Sequence, residues 1–465
     1  MMDDIKTLLK ENNYQDLICK EIQIKNKKIV ILALETITNT YNINEFILEN
    51  IDTIDNTTID YLYNHLPCIS IKKIKENELS YYLVNAYTII AIDNYYLACE
   101  TILTPERNIS ISEYEKSISG PKDSFIEHFN TNVGLIRKRI KNINLKLENI
   151  IIGKYSNTKV GLMYIDGITK LSLKDEIIKK IKQINIDGII DSSYIKGYLS
   201  ESKNLFPTIK ATERPDLASQ ALLEGKIVII VDNSPDILIL PSFFIDFFHM
   251  SDDYYQKNFN STFIRIIRLL AFIIAIFLPS YYIAITTINV DFIPINMLVN
   301  FISQRANVPF PVFIEAIIMI LSFEILRESD MRIPSTQGTS ISILGGLVLG
   351  EAAVNAGIIS PMMIIVVAIS AISGLVFQSI EIVNAIRVWR FILIILAALL
   401  GLYGIFIGII MIIINICDTQ SLDKDYLYPF APINLYEQKD GFIKNESQIK
   451  YRNPLLSNNK IRGFK

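Results

Sequence analysis

Cysteine, histidine and tryptophan are scarce: four cysteines, three histidines and one tryptophan occur in 465 residues. Cys19, Cys68, Cys99 and Cys417 include no CxxC pair, and His65, His128 and His249 lie far apart, so neither a disulfide framework nor a zinc site is expected. Walker A, GxGxxG, HExxH and GxSxG patterns are absent. No catalytic, cofactor-binding or metal residue is therefore assigned, and the chain is read as a non-enzyme without a cofactor. The net charge of −3 shows no basic excess, which argues against nucleic-acid binding. At 50% hydrophobic residues the chain is too apolar for disorder. The start, Met1-Met2-Asp3-Asp4-Ile5-Lys6, lacks the apolar core of a signal peptide, so the first 260 or so residues are expected to remain cytoplasmic.

Charge is also missing locally. No charged residue occurs from Leu269 to Val290, Ile333 to Gly350, Ala352 to Ile380 or Phe391 to Cys417. Crossing a hydrocarbon core takes about 20 predominantly apolar residues, so four such runs predict an α-helical polytopic membrane domain. The mean hydropathy of +0.32 averages this region with a charged, soluble one.

The soluble part repeats itself. Lys28–Glu35 reads as a buried strand, and Lys159–Asp166 repeats it at an offset of 131, with Ile37-Thr38 falling on Ile168-Thr169 and Glu45 on Glu176. Ile89–Asn94 resembles Val228–Asn233, and each precedes a further apolar strand. The intervening Asp-Asn pairs read as hairpin turns, because both residues tolerate left-handed backbone angles. Two similar tandem α+β subdomains follow, roughly 20–105 and 155–245. The predicted division is a first cytoplasmic α+β subdomain (1–117), a connecting amphipathic helical segment (118–154), a second α+β subdomain (155–250), a multi-pass transmembrane domain (251–417) and a cytoplasmic tail (418–465). The connecting helix, about 124–141, carries Arg137-Lys138-Arg139 and reads as a lipid-facing helix, a face for an acidic partner, or a solvated connector.

Several motifs carry a family likeness. They include Ser119-Gly120-Pro121-Lys122, Glu213-Arg214-Pro215-Asp216, Val308-Pro309-Phe310-Pro311, Phe323–Glu328 and Gly350–Pro361. From about 118 to 432 these resemble, in order, the A subunits of spore germinant receptors, whereas the first 110 residues match loosely. The resemblance implies a cytoplasmic N-terminal part and a multi-pass region in the inner membrane of a bacterial endospore. It implies assembly with a transporter-like B subunit and a lipoprotein C subunit, and an oligomeric, nutrient-gated channel for monovalent cations. A sister branch, the SpoVA-associated F proteins, shares the motifs and amplifies germination without binding nutrients.

Five hydrophobic segments are expected near 266–288, 308–326, 336–356, 360–380 and 391–417. Four or five cross, and the basic tail favours an even number. Pro279 should kink the first segment and is a candidate gating residue. Glu315 sits centrally in the second, where a carboxylate needs a charge, protein or water to face; several copies around an axis would form an acidic ring, and the alternative is bonding within one subunit. Glu324 is expected to cluster with Arg327 and Glu328 near an interface. Gln337 and Glu351 are the further candidate pore residues. Gly346, Gly350, Gly404 and Gly408 form small-xxx-small faces for close helix packing. Trp389, between Arg387 and Arg390, reads as an interfacial anchor. Two functional readings follow: a gated ion-conducting subunit, or a non-conducting scaffold that couples a separate receptor to downstream release.

Overall fold

The computed structural model describes residues 15–457 except 25–26, 54–57, 69, 94, 104–114, 116–117, 201–203, 333–349, 432–440, 442, 445–452 and 454. Two five-stranded antiparallel sheets come first and a helical region follows. The first sheet contains β1 (Leu17–Ile24), β2 (Lys27–Leu34), β3 (Ile71–Ile74), β4 (Tyr87–Ile92) and β5 (Tyr95–Glu100). The second contains β6 (Leu145–Ile152), β7 (Thr158–Ile165), β8 (Lys210–Thr212), β9 (Ile227–Val231) and β10 (Ile237–Leu240). Its strand order, β6-β7-β9-β10-β8, reproduces the order β1-β2-β4-β5-β3 of the first.

The helices repeat too. A helical stretch over 40–53 and α1 (Ile59–His65) precede β3 and α2 (Leu79–Val84) follows it, while α3 (Phe129–Arg139) precedes β6. Next come α4 (Leu171–Lys182) and α5 (Ser192–Leu199) before β8, and α6 (Pro215–Glu224) after it. The central strands read as unbroken apolar runs because both sheet faces are covered: Val228 and Ile230 enter one core, and Ile227, Ile229 and Val231 enter another. In the first copy Ile92 pairs with Tyr95 across a two-residue turn, with Asp93 at φ 51°. In the second the connection is longer, with Asn233 at φ 64°.

Two expectations change here. Residues 145–152 are an edge strand of the second sheet, not part of a connector. The basic helix is no lipid face: Arg137 is buried and pairs with buried Asp16 at 2.8 Å, and Arg139 holds Asp123 at 2.6 and 2.7 Å. Its other face enters the core of the second sheet. Gly134 permits this bridging position, since a Cβ there would lie 2.6 Å from the Thr36 carbonyl oxygen.

The C-terminal tail completes the repeat. In the first copy Thr38 bridges Ile102, and Asn39 N donates to Thr101 O at 2.8 Å. At the equivalent place in the second, Thr169 bridges Ser457 and Lys170 N donates to Leu456 O at 3.0 Å. Ser421 Oγ also donates to Thr208 O at 2.8 Å, so the tail lies at the sheet end of the molecule.

The helical region comprises α7 (Asn258–Thr287), α8 (Ile295–Arg305), α9 (Val312–Arg332), α10 (Pro361–Gly374), α11 (Ile380–Leu400) and α12 (Leu402–Asp418), with residues 350–355 also helical. Among the described residues, α7 and α11 are long and apolar enough to cross a membrane. They run in parallel: Phe272, midway along α7, meets Phe377, just before α11, and Asn289 Oδ1, just after α7, accepts from Leu402 N, just after α11. The stretch 391–417, expected as one span, folds back at Gly401 (φ 59°, ψ −139°), a conformation that side chains other than glycine's rarely adopt. The segment expected at 360–380 stops being α-helical at Gly374. Most of 336–356 lies outside the described residues.

Sheet and bundle share one core. Phe244 and Phe248, just after β10, pack on Phe272 with ring centroids 5.7 and 5.4 Å away, and Phe248 lies 5.5 Å from Phe377. Trp389 is buried in this core, not at an interface, because its helix face turns toward the other helices.

Removing one member of a buried ion pair strands the other charge, at a cost of about 3–5 kcal/mol. Arg137→Ala should therefore lower the melting temperature of the purified protein. Asp16→Asn in the same chain should restore part of the loss.

Candidate functional site

Helix α7 carries Pro279, whose ring nitrogen has no proton, so the carbonyl of Ala275 one turn earlier lacks its usual donor. Ser370 of α10 supplies the replacement: its hydroxyl donates to Ala275 O at 2.9 Å. Arg390 Nη1 of α11 lies 3.5 Å from the same Ser370 Oγ, and Nη2 donates to Glu324 Oε1 of α9 at 2.7 Å. Arg327 and Arg387 approach Glu324 Oε2 at 2.9 and 3.0 Å. A polar thread thus runs through four helices, from a missing hydrogen bond to a three-arginine, one-carboxylate cluster. Pro279 occupies a docking notch here. The expected Glu324–Arg327 pair forms, within a larger cluster than sequence neighbours supply.

Glu315, on the other side of α9, has no solvent exposure. Its Oε2 accepts from Ser360 N, just before α10, at 3.0 Å, and Oε1 lies 3.4 Å from Arg305 Nη2. Tyr282 of α7 is close enough to feel Ser360, Arg305 and Glu315. Ser360 Oγ, Tyr282 Oη and Arg305 Nε are buried and make no hydrogen bond of ordinary geometry, and Glu315 Oε1 has only the longer contact with Arg305, which leaves the cluster polar capacity to spare.

The remaining candidates are dispersed. Glu351 is exposed on the helical stretch 350–355. Gln337 and Gly346 lie outside the described residues. A Cβ on Gly404 or Gly408 would come within 2.1 Å of Leu396 O or Leu393 Cδ2, so α11 and α12 touch at both glycines. A Cβ on Gly350 would have only Ile364 Cγ2 nearby, at 4.0 Å, an ordinary contact.

A third charged cluster sits where sheets meet helices. Arg265 and Arg268 of α7 are buried around Asp253: Arg268 Nη1 lies 2.6 Å and Arg265 Nε 3.3 Å from Asp253 Oδ2. The tail joins them. Gly441 O accepts from Arg265 Nη1 at 2.8 Å and from His249 Nε2 at 3.0 Å, and Lys444 Nζ donates to Asp253 O at 2.6 Å. A further ion pair joins Lys196 of α5 to Glu381 of α11. Sequence reading missed Ser370, Ser360, Asp253 and Arg305. The one available signal was Pro279 itself, which implies an unserved carbonyl at Ala275.

With this geometry in place, the comparisons with known proteins converge. Residues 3–455 match the family model described as Bacillus/Clostridium GerA spore germination protein. The chain is 37% identical over 441 residues to spore germination protein KA of Bacillus subtilis, covering 92% of this chain and 81% of that protein. It is 34% identical to spore germination protein GerQA of Bacillus cereus, covering 99% and 93%. The crystal structure of the N-terminal domain of the A subunit of the Bacillus megaterium spore germinant receptor GerK3 aligns at 29% identity and a TM-score of 0.39, covering 52% of this chain and 96% of that one. The chain belongs to the GerA spore germination protein family. The match includes the first 110 residues, which motifs tied to it only loosely.

Burial holds the His249 imidazole well below its usual 6.5, helped by the Arg265, Lys210 and Lys226 charges and opposed by the Gly441 acceptor. The unfolded chain takes up this proton near pH 6.5 while the folded chain does not, so stability is complete above that pH and falls as the pH drops below it. Melting temperatures between about pH 7.5 and 5.5 should fall less steeply for His249→Asn than for the unaltered protein.

Proposed function

We propose that the chain is the membrane-embedded A-type subunit of a spore nutrient germinant receptor, with its two sheets on the cytoplasmic side of the inner spore membrane. It joins a transporter-like B subunit and a lipoprotein C subunit. Copies of it assemble around a path that releases monovalent cations when nutrient binds. The observation that carries this reading is the family match along nearly the whole chain, together with two helices, α7 and α11, long and apolar enough to cross a membrane, joined to a charged sheet region. The tail supports an even number of crossings, since its contacts return it to the sheet side.

Within this reading the two candidate carboxylates divide the work. Glu315 is enclosed by its own chain and fastens α9 to the start of α10. Glu351 is exposed, so it is the carboxylate available to an axis shared with neighbouring copies. The enclosure of Glu315 also favours a second reading, a non-conducting coupling subunit in which the bundle transmits a shape change.

Spores carrying Glu351→Gln distinguish the two. Under the conducting reading, nutrient-triggered release of potassium slows several-fold or changes its selectivity, at normal subunit abundance. Unaltered release at normal abundance contradicts a place for Glu351 in the path and favours the coupling reading.

A further inference from the structure

A cavity of about 210 Å³ opens between α9, α10 and α11. One wall is apolar, including Ile320, Phe323, Val367, Val383 and Ile386, and the other carries Arg327, Arg387 and Arg390 with Glu324. The carboxylate is shared by all three guanidinium groups, one negative charge against three positive. Asp330 at the lining offsets one more charge and still leaves the arginines in excess.

The donors are not used up. Arg390 has only 6% of its side chain exposed; Arg387 Nε meets Glu324 Oε2 at 3.0 Å, while the buried Nε atoms of Arg390 and Arg327 make no hydrogen bond. Each guanidinium carries five N–H donors in a planar fork that fits phosphate oxygens in pairs. Leu375, 65% exposed, lines the same cavity and stands at its rim, with Ile372, also 65% exposed, one turn earlier on α10. The ligand that satisfies both walls has an oxyanion to meet the forks and hydrocarbon to lie along the apolar side.

We propose that this cleft binds an anionic membrane phospholipid, its phosphate held by Arg327, Arg387 and Arg390 and its acyl chains lying along α10. The proposal rests on the membrane reading above. The cleft lies in the half of the bundle nearer the sheets, since α11 begins at the Lys196–Glu381 pair, so on that reading the lipid belongs to the cytoplasmic leaflet. Bound there, the lipid would bear on the cluster that clamps Glu324, and membrane composition would tune how firmly the four helices are held.

The test uses full-length protein in nanodiscs of phosphatidylcholine containing a fluorescent phosphatidylglycerol probe. Flotation with liposomes first reports insertion; a protein that fails to float refutes the membrane reading itself. For inserted protein the expected result is saturable probe binding, weakened about tenfold in Arg387→Gln and in Arg327→Gln and largely retained in Arg387→Lys, a tenfold loss corresponding to about 1.4 kcal/mol. Arg390 is left intact because it also clamps Ser370, and matching melting temperatures show that the variants are folded. Equal binding of a phosphatidylcholine probe, unchanged binding in both glutamine variants, or displacement by millimolar inorganic phosphate would each overturn the proposal, the last by assigning the cleft to a soluble anion.

Discussion

A hydrogen bond that cannot form organises the helical bundle. Pro279 removes a donor from the middle of α7, and an unserved buried carbonyl costs roughly 1–3 kcal/mol unless something replaces it. Ser370 does so from α10, which fixes the height at which the two helices meet. That height brings Arg390 beside Ser370, and Arg390 in turn reaches Glu324 on α9. Apolar helices can slide past one another with little penalty, whereas this thread of directional contacts admits one register. The glycine contacts of α11 with α12 then set the last helix against the rest.

The bundle is not independent of the sheets. The chain leaves β10 through Phe244 and Phe248 into a core that also contains Phe272, Phe377 and Trp389, so no boundary of exposed linker separates the two parts. Arg265 and Arg268 are buried around Asp253 at this same junction, and the tail seals it with Gly441 and Lys444 before pairing with the second sheet at Leu456 and Ser457. A shape change in the second sheet therefore reaches α7 and α11 through packed aromatic rings and buried charges. The first sheet is attached by α3 and the Arg137–Asp16 pair.

Much of this was legible in the residues. The offset of 131 between Glu35 and Asp166 reflects two sheets of the same strand order, because equivalent positions face equivalent cores. Uncharged runs located the helical region. Where helices turn was less legible, since hydropathy is blind to direction: 391–417 is uniformly apolar, and only the backbone at Gly401 reveals the reversal. The basic run 137–139 misled because charge on a helix does not say whether its counter-charge is lipid, partner or the same chain; Asp16 lies 121 residues away. Glu315 was legible as an expensive carboxylate, but its acceptor role toward Ser360 N depends on a contact 45 residues distant.

The central claim is that the Pro279–Ser370–Arg390–Glu324 thread and the aromatic junction make bundle and second sheet one mechanical body. Hydrogen exchange on the purified full-length protein carrying Ser370→Ala tests it most directly. The account predicts faster exchange of backbone amides in the central turns of α7, α10 and α11 together, with a smaller rise in β9 and β10. Exchange that changes only within the turn around residue 370, leaving α7, α11 and the sheet as they were, would contradict it.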